Sequence, residues 1–355
     1  MNNLFICSTQ YQIINIVNII DGEYYNDNNY LFILECFNRL SIKIEKIAEN
    51  AGCFKNIVVL KAGMTNSSLK SYMTTLIRCL NIKSFGSGLN LNIDSIFITN
   101  TEAYSRIIAC YFLQKKNTIK LFFYEDGVES YTDILSNNKK RKLDTFLRFV
   151  YKTDLNSRCD GMYLYAPELL IENAKSVQLY KISPFNRNKK NPKALFKQLG
   201  TIQDNNIKNI KYLWLDAGYD DEYHIQKSNE ILKVLDRVIG DDLYIKPHPR
   251  KFEFWKQSKY RILKTNISFE YLYMLNDMRN TVLISVFSTA CITPKLLFNE
   301  TPPVIFLYKL FPEFGYMDPF FQKFSKLYSN ANGQFFMPDS LSDLDVALKK
   351  IKMEK

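Results

Sequence analysis

The feature that most constrains the fold of this chain is the alternation of short apolar runs with longer stretches of helical periodicity. Runs such as Leu4–Cys7 are apolar throughout, and amphipathic segments such as Tyr11–Ile20 follow them. This βαβ order predicts parallel sheets that are covered by helices on both faces. The predicted strands of the first half are Leu4–Cys7, Tyr30–Leu34, Asn56–Leu60, Ser95–Thr99, Lys120–Tyr124 and Met162–Tyr165, and the predicted helices are Tyr11–Ile20, Ser41–Ala51, Ser67–Leu80 and Glu102–Leu113.

The alternation weakens between residues 186 and 209, where asparagine, lysine and glutamine replace apolar residues, and then it resumes. We therefore predict an N-terminal domain, residues 1–190, and a C-terminal domain, residues 191–355. The expected architecture is two doubly wound α/β domains facing each other across a cleft, with ligands at the carboxyl ends of the strands. The predicted elements of the second half are Tyr212–Asp216, His224–Val238, Leu243–Lys246, Tyr260–Leu263, Val282–Val286, Thr289–Leu297 and Val304–Tyr308.

Composition favours anionic partners and a reducing compartment. Lys and Arg number 47 against 36 Asp and Glu, a formal net charge of +11, which suits nucleotide phosphates, acidic sugars or an anionic membrane face. The seven cysteines are scattered and form no Cys-x-x-Cys pair, so we predict a reduced, cytoplasmic protein. The first ten residues resemble neither a signal peptide nor a membrane span, so membrane contact is expected to be peripheral.

The segment Lys246-Pro247-His248-Pro249-Arg250 places one of only two histidines at the end of a predicted buried strand. Prolines on both sides hold the His248 main chain extended, and Lys246 and Arg250 add positive charge. This arrangement suits a proton donor to an anionic leaving group. The alternative is a strand-terminal turn with a basic rim.

Acidic residues follow two other predicted strands. Glu125 and Asp126 precede Gly127, which allows a sharp turn, although an ordinary strand-to-loop turn would look the same. Asp220 and Asp221 precede a predicted helix. We expect one of these two to cap the helix and the other to be available as a general base.

Hydroxyl groups follow a further strand, because Ser288 and Thr289 stand where Val282–Val286 ends and a predicted helix begins. Free N–H and hydroxyl groups at a helix N-terminus bind phosphate, although N-capping alone would explain Ser288.

Several chemistries have no support in the sequence. The glycine motifs of P-loops and of dinucleotide-binding folds are absent, and the two histidines and scattered cysteines do not suit zinc. The single Asp-x-Asp pair, Asp343 and Asp345, belongs to the expected start of the last amphipathic helix. We therefore expect no metal site and no cofactor.

Taken in chain order, these motifs resemble those of the bacterial sialyltransferases of glycosyltransferase family 52, which include lipooligosaccharide sialyltransferases. The resemblance implies two Rossmann-like domains of the GT-B type, CMP-sialic acid as the donor, and inverting, metal-independent transfer to a galactose-terminated glycan. The first motif departs from the family's Thr-Pro-Leu-Gln. The motifs are Cys7-x-Thr9-x-x-Gln12, Glu125-Asp126-Gly127, the loop with Asp220 and Asp221, Pro247-His248-Pro249-Arg250 and Phe287-Ser288.

The same resemblance implies that His248 acts on the departing CMP phosphate and that Asp220 or Asp221 is the general base. In another bacterial sialyltransferase family the second acid of the acid-Asp-Gly motif is the base, so Asp126 stays an alternative. Substrate contacts are expected from Thr9, Gln12, Glu125, Gly127, Lys246, Pro249, Arg250, Ser288 and Thr289.

The expected partners are a CMP-sugar and a glycan or lipid-linked glycan acceptor in surface polysaccharide or lipooligosaccharide synthesis. Peripheral contact with the inner face of the cytoplasmic membrane and a homodimer are further hypotheses, and no nucleic-acid partner is expected. Two alternatives stay open: another nucleotide-sugar transferase such as a glucosyltransferase, and a non-catalytic sugar-binding protein on the same fold.

Overall fold

A computed structural model describes residues 1–36, 40–62, 74–75, 77–78, 80–85, 90–100, 102–132, 138–171, 177–197, 199, 210–218, 221–248, 255, 258–263 and 268–353. The chain divides into two compact units, Met1–Gly200 and Thr201–Lys355. The predicted division between residues 190 and 191 lies before the observed one, between Gly200 and Thr201. The segment Pro192–Leu195 belongs to the first unit, where Asn50 Nδ2 donates to the carbonyl oxygens of Leu195 and Lys197 at 3.0 Å each.

The described residues of the first unit form a seven-stranded parallel sheet. Its strands are β1 (Asn2–Cys7), β2 (Asn28–Glu35), β3 (Asn56–Lys61), β4 (Ser95–Ile98), β5 (Lys120–Tyr124), β6 (Cys159–Leu164) and β7 (Gln178–Lys181), in the order β3-β2-β1-β4-β5-β6-β7. The helices are α1 (Gln10–Ile19), extended by a π-helical turn (Ile20–Tyr24), α2 (Leu40–Ala51), α3 (Ala103–Lys115), α4 (Glu129–Thr132), α5 (Asn138–Tyr151) and α6 (Pro192–Leu195).

The described residues of the second unit form a six-stranded parallel sheet. Its strands are β8 (Tyr212–Leu215), β9 (Leu243–Lys246), β10 (Arg261–Ile262), β11 (Val282–Ser285), β12 (Val304–Phe306) and β13 (Phe335–Phe336), in the order β10-β9-β8-β11-β12-β13. The helices are α7 (Glu222–Ile239), α8 (Phe269–Leu275), α9 (Thr293–Phe298), α10 (Asp318–Ser329) and α11 (Leu341–Met353). None of the helices described is both long and apolar enough to cross a membrane.

Both sheets have the Rossmann strand order, in which the chain builds outward from its first strand to one side and then returns to build on the other. The predicted doubly wound α/β fold is therefore confirmed in each unit. In such sheets the point where the order reverses leaves a crevice at the carboxyl ends of the strands. That point lies between β1 and β4 in the first unit and between β8 and β11 in the second.

Some predicted elements differ from the structure. The predicted helix Ser67–Leu80 lies mostly outside the described residues. The predicted helix Thr289–Leu297 is a short 3₁₀ turn, Thr289–Cys291, followed by α9. Pro294 stands in the first turn of α9, and because it has no N–H it cannot continue a hydrogen-bond ladder from the preceding turn.

Aromatic rings on one face of the first sheet stack across neighbouring strands. The ring of Phe97 lies 4.3 Å from that of Phe5 and 4.9 Å from that of Phe122, and the ring of Tyr163 lies 4.7 Å from that of Tyr180. The last stack needs Gly161 on β6, because a Cβ there would lie 2.4 Å from Cε2 of Tyr180.

We expect Gly161→Ala to lower the free energy of unfolding by about 1–3 kcal/mol, because the added methyl group forces the Tyr180 ring away. The matched control is Gly22→Ala in the same unit, where an added Cβ meets nothing within 4 Å. That change should be neutral or stabilising by up to about 1 kcal/mol. Urea unfolding of both variants checks the difference, and equal midpoints would contradict it.

Candidate functional site

Polar side chains gather at the carboxyl edge of each sheet, beside the point where its strand order reverses. The N-terminal edge site consists of Gln12, Glu102, Glu125, Asp126 and Gly127, and the C-terminal edge site consists of Asp216, Gly218, Lys246, His248 and Ser288.

Glu125 follows β5 and is fully buried, with 0% of its surface exposed. Its Oε1 accepts a hydrogen bond from Tyr11 Oη at 2.9 Å. Its Oε2 accepts one from the Tyr165 main-chain N at 2.9 Å and another from Tyr131 Oη. This side chain therefore holds the loops together from inside, and the substrate contact expected of Glu125 stays a prediction.

The buried carboxyl group of Glu125 has an unusual ionisation. Burial raises its pKa to about 7, and the neighbouring Asp126 adds to the rise. The hydrogen bonds from Tyr131, Tyr165 and Tyr11 act in the opposite direction, but they do not outweigh burial.

Asp126 differs from its neighbour because it is only half-buried. Its Oδ1 accepts a hydrogen bond from Gln12 Nε2 at 2.9 Å, and its main-chain N donates to Ser130 Oγ at 2.7 Å. Gly127 then turns the chain with φ of +88°, a conformation that favours glycine. Asp126 is therefore a carboxylate held at the edge of the sheet.

The first motif supports Asp126 from the β1–α1 turn. Thr9 caps α1, because its side chain accepts from Gln12 N at 3.2 Å. Gln12 is 2% exposed, and its Oε1 accepts from Ser8 N at 2.6 Å while its Nε2 donates to Asp126. Both ends of its amide are bonded within the protein, and the substrate contact expected of Gln12 stays a prediction.

Glu102 is a functional candidate that the sequence analysis missed. Its carboxylate caps α3 by accepting from Tyr104 N at 3.1 Å and from Ser105 N. Burial raises its pKa, and the charge of Asp126 contributes to the rise, so the two carboxylates influence each other. The sequence feature that could have identified Glu102 is its place shortly after the predicted strand Ser95–Thr99.

The C-terminal edge site is organised by Asp216, which the sequence analysis also missed. The Oδ2 atom accepts from the His248 main-chain N at 3.3 Å and from Trp255 Nε1 at 2.9 Å. The Oδ1 atom accepts from Gly218 N at 3.2 Å. One carboxylate thus holds its own loop and the segment that carries His248.

The imidazole of His248 lies directly against Gly218. A Cβ on residue 218 would lie 2.7 Å from Cγ and 2.8 Å from Nδ1 of His248, and Gly218 has φ of +78°. Both the close approach and the backbone conformation require glycine here. His248 is half-buried at the end of β9.

The structure gives the helix-capping role to Asp221. Its Oδ1 accepts from His224 N at 3.1 Å, and the imidazole Nδ1 of His224 lies 2.6 Å from Oδ2. These contacts hold the pKa of Asp221 below its usual value, which makes it a weaker base. The Nε2 atom of the same ring forms an ion pair with Glu313 at 2.7 Å when the imidazole is protonated. Asp220, the other candidate base, lies outside the described residues.

Lys246 and Ser288 occupy the ends of β9 and β11. Lys246 is only 9% exposed, and its charge offsets part of the rise that burial causes in the pKa of Glu270 on α8. Ser288 caps the short 3₁₀ turn by accepting from Ala290 N at 3.3 Å. Of the other expected contacts, Thr289 follows Ser288 and is half-buried, whereas Pro249 and Arg250 lie outside the described residues.

The Asp-x-Asp pair lies at the start of α11. Asp343 accepts from Ser340 Oγ at 2.7 Å, and Asp345 pairs with Arg237 at 3.0 Å and with Lys349 at 2.5 Å. Within the described ranges, no three His, Cys, Asp or Glu side chains come together as candidate metal ligands.

The pKa of Glu125 predicts a pH dependence of stability. Because the folded pKa of about 7 exceeds the ordinary value of 4.5, protonation of Glu125 stabilises the folded state. This stabilisation is complete below pH 4.5 and is lost as pH rises through about 7. Glu125→Gln removes this titration but can still accept from Tyr165 N, so its free energy of unfolding should fall less between about pH 5 and pH 8.

The matched control is Glu129→Gln, an exposed change on α4 that should keep the wild-type slope. Denaturant unfolding across this pH range measures all three proteins. Parallel slopes for the wild type and Glu125→Gln would contradict the assignment.

Solved structures similar to this chain share its fold at low identity. The glycotransferase of kitacinnamycin has a TM-score of 0.55 and 8% identity, over 99% of this chain and 90% of that one. Spinosyn rhamnosyltransferase SpnG complexed with thymidine diphosphate has a TM-score of 0.54 and 8% identity, over 99% and 91%. A putative UDP-N-acetylglucosamine 2-epimerase from Listeria monocytogenes has a TM-score of 0.52 and 12% identity, over 86% and 79%.

The first two similarities, together with the Rossmann order of both sheets, show the GT-B type of fold that the sequence predicts. Because an epimerase shares it, the fold alone does not decide the reaction.

The class of this protein follows from a comparison of its sequence with models of protein families. A search of curated proteins finds no match. The family model for alpha-2,8-polysialyltransferase (POLYST) matches residues 3–307, a span that begins in β1, ends just after β12 and includes both edge sites. The predicted resemblance to sialyltransferases is confirmed at this level, and with the GT-B fold it makes the protein a glycosyltransferase. The chain belongs to the alpha-2,8-polysialyltransferase family.

Proposed function

We propose that this protein transfers sialic acid from CMP-sialic acid to the terminal sugar of a glycan, directly and with inversion at the anomeric carbon. The family match over residues 3–307 carries this proposal, because it spans both edge sites. The assignment to family 52 remains a prediction from the motifs, as does a place in surface polysaccharide or lipooligosaccharide synthesis.

The family description favours one type of acceptor. An α-2,8 linkage needs an acceptor hydroxyl on carbon 8, which sialic acid has and galactose, a hexose, lacks. We therefore propose a glycan that ends in sialic acid as the acceptor. The galactose-terminated glycan expected from the sequence becomes the comparison in the test.

The proposed reaction needs one carboxylate as a base. The acceptor hydroxyl gives its proton to the carboxylate as its oxygen bonds to the anomeric carbon, and the bond from that carbon to the CMP phosphate breaks. Asp221 is unsuited because it caps α7 and its pKa is lowered. We assign the base to Asp220, with Asp126 as the alternative because it is a half-buried carboxylate at a strand end.

The departing CMP takes the electron pair of the broken bond, and its phosphate must be stabilised. We assign this role to His248, as a hydrogen-bond or proton donor, because it is held in place at the end of β9. Ser288, Thr289 and Arg250 are proposed as further phosphate contacts. Lys246 contributes a charge that Glu270 partly balances.

The charge of the chain suits this chemistry. Donor, acceptor and product are all acidic, and the formal net charge of +11 attracts them electrostatically. The same charge supports the proposal of peripheral contact with an anionic membrane face. The ring of Phe149 on α5 is 73% exposed, and the ammonium group of Lys152, just after the helix, lies 5.0 Å from the centroid of that ring. An exposed aromatic ring beside a cation suits a lipid headgroup region.

The donor proposal predicts release of CMP from CMP-sialic acid in the presence of EDTA, slowly alone and faster with a suitable acceptor. A sialic acid-terminated oligosaccharide should accelerate release, and the same oligosaccharide trimmed to its galactose should not. Nucleotide release is measured for CMP-sialic acid and for UDP-sugars in parallel. Activity with UDP-sugars alone, or its loss on chelation, would sink the proposal.

The base is tested by the pH dependence of kcat. Asp220→Asn should lower kcat by about 10² to 10⁴ and remove the acidic limb of the profile, which reports the ionisation of the base. Asp221→Ala is the matched control, since losing the cap should cost about 0.5–2 kcal/mol of stability and leave that limb in place. If Asp126→Asn alone removes the limb, the base belongs to the N-terminal edge site.

A further inference from the structure

We infer that Asp216 is a positioning residue for His248, acting on the histidine and not on the substrate. The inference rests on the role proposed above for His248. It starts from the way β8 and β9 end side by side, with Leu215 opposite Lys246 in the parallel register.

The regular ladder between β8 and β9 ends with the pair Leu215 and Lys246. Asp216 N donates to the Lys246 carbonyl at 3.1 Å, and β9 ends there, before Pro247, which has no N–H. The first N–H after the proline is that of His248. The Asp216 carboxylate accepts it at 3.3 Å, so a side-chain oxygen takes the next main-chain donor after the strand ends.

The same carboxylate also fixes the surface on which the imidazole rests. Its Oδ1 accepts from Gly218 N at 3.2 Å, and the Cα of Gly218 faces the ring so closely that a Cβ would lie 2.7 Å from Cγ. Asp216 therefore controls both the main chain of His248 and the backbone beneath its ring.

An ionised carboxylate suits this position better than an amide does. Asp216 meets three N–H donors, those of Gly218, His248 and the indole of Trp255, and an ionised carboxylate accepts without donating. An asparagine has one oxygen and one NH₂ group, so it must turn a donor towards at least one of the three. Because Trp255 is 5% exposed, water has little access to replace the lost bond there.

The kinetic test compares Asp216→Asn with His248→Ala, using CMP release from CMP-sialic acid. We expect Asp216→Asn to lower kcat about 10-fold to 100-fold, with a much smaller change in KM for the donor, because the histidine is displaced but donor contacts remain. The double variant should be no slower than His248→Ala alone, since Asp216 acts through that residue.

The matched control is Asp160→Asn in the first unit, where Oδ2 likewise accepts a main-chain N–H, that of Leu121 at 2.8 Å. It should lower the unfolding midpoint and leave kcat unchanged. A wild-type kcat for Asp216→Asn beside a slow His248→Ala would overturn the inference, as would losses that multiply in the double variant. A wild-type kcat for His248→Ala would overturn the proposed leaving-group role instead.

A second measurement does not depend on activity. The chain has only two histidines, so selective ¹³C labelling gives two imidazole signals, and His224→Gln assigns them. Asp216→Asn should shift the His248 signal and leave that of His224 in place, and two unchanged signals would overturn the inference. Should Asp216→Asn fail to fold, Gly218→Ala displaces the same ring by contact and should give the same loss of kcat and the same shift.

Discussion

The structure depends on carboxylates that accept main-chain N–H groups where parallel strands end. The ladder of a parallel sheet stops at its carboxyl edge, and the N–H groups of the outgoing segments then need other acceptors. Glu125 accepts from the segment after β6, and Asp216 accepts from the segment after β9. Glu102 does the same for the first turn of α3. In each case a carboxyl group lies near the edge because of how the loop is held.

This constraint explains which parts of the site can be predicted from sequence. The strand ends were predictable, because apolar runs stop where polar residues begin, and the turn at Gly127 follows from its position after two acids. The difference between the buried Glu125 and the half-buried Asp126 could not be predicted, because two adjacent acids look alike in the sequence and only the fold shows which one is buried. The hydrogen bond from Gln12 to Asp126 could not be predicted either, because the two residues are far apart in the sequence.

Other features depend on partners that only the folded chain reveals. The aspartate that holds His248 stands 32 residues before it, and no local pattern marks this pairing. The contact of His224 with Asp221 has the spacing of a helix cap and could be anticipated, but its contact with Glu313 could not. The short strands β7 and β13 carry too few apolar residues to be recognised by periodicity alone.

The close contact between Gly218 and His248 has a consequence for how such chains diverge. A side chain at residue 218 is excluded partly by backbone conformation and partly by the imidazole ring itself. The second restriction disappears when residue 248 becomes small. In a set of homologues the two positions should therefore change together, with a residue other than glycine at 218 appearing mainly where the histidine has been lost. Such covariation would mark lineages in which proteins of this fold have a different function.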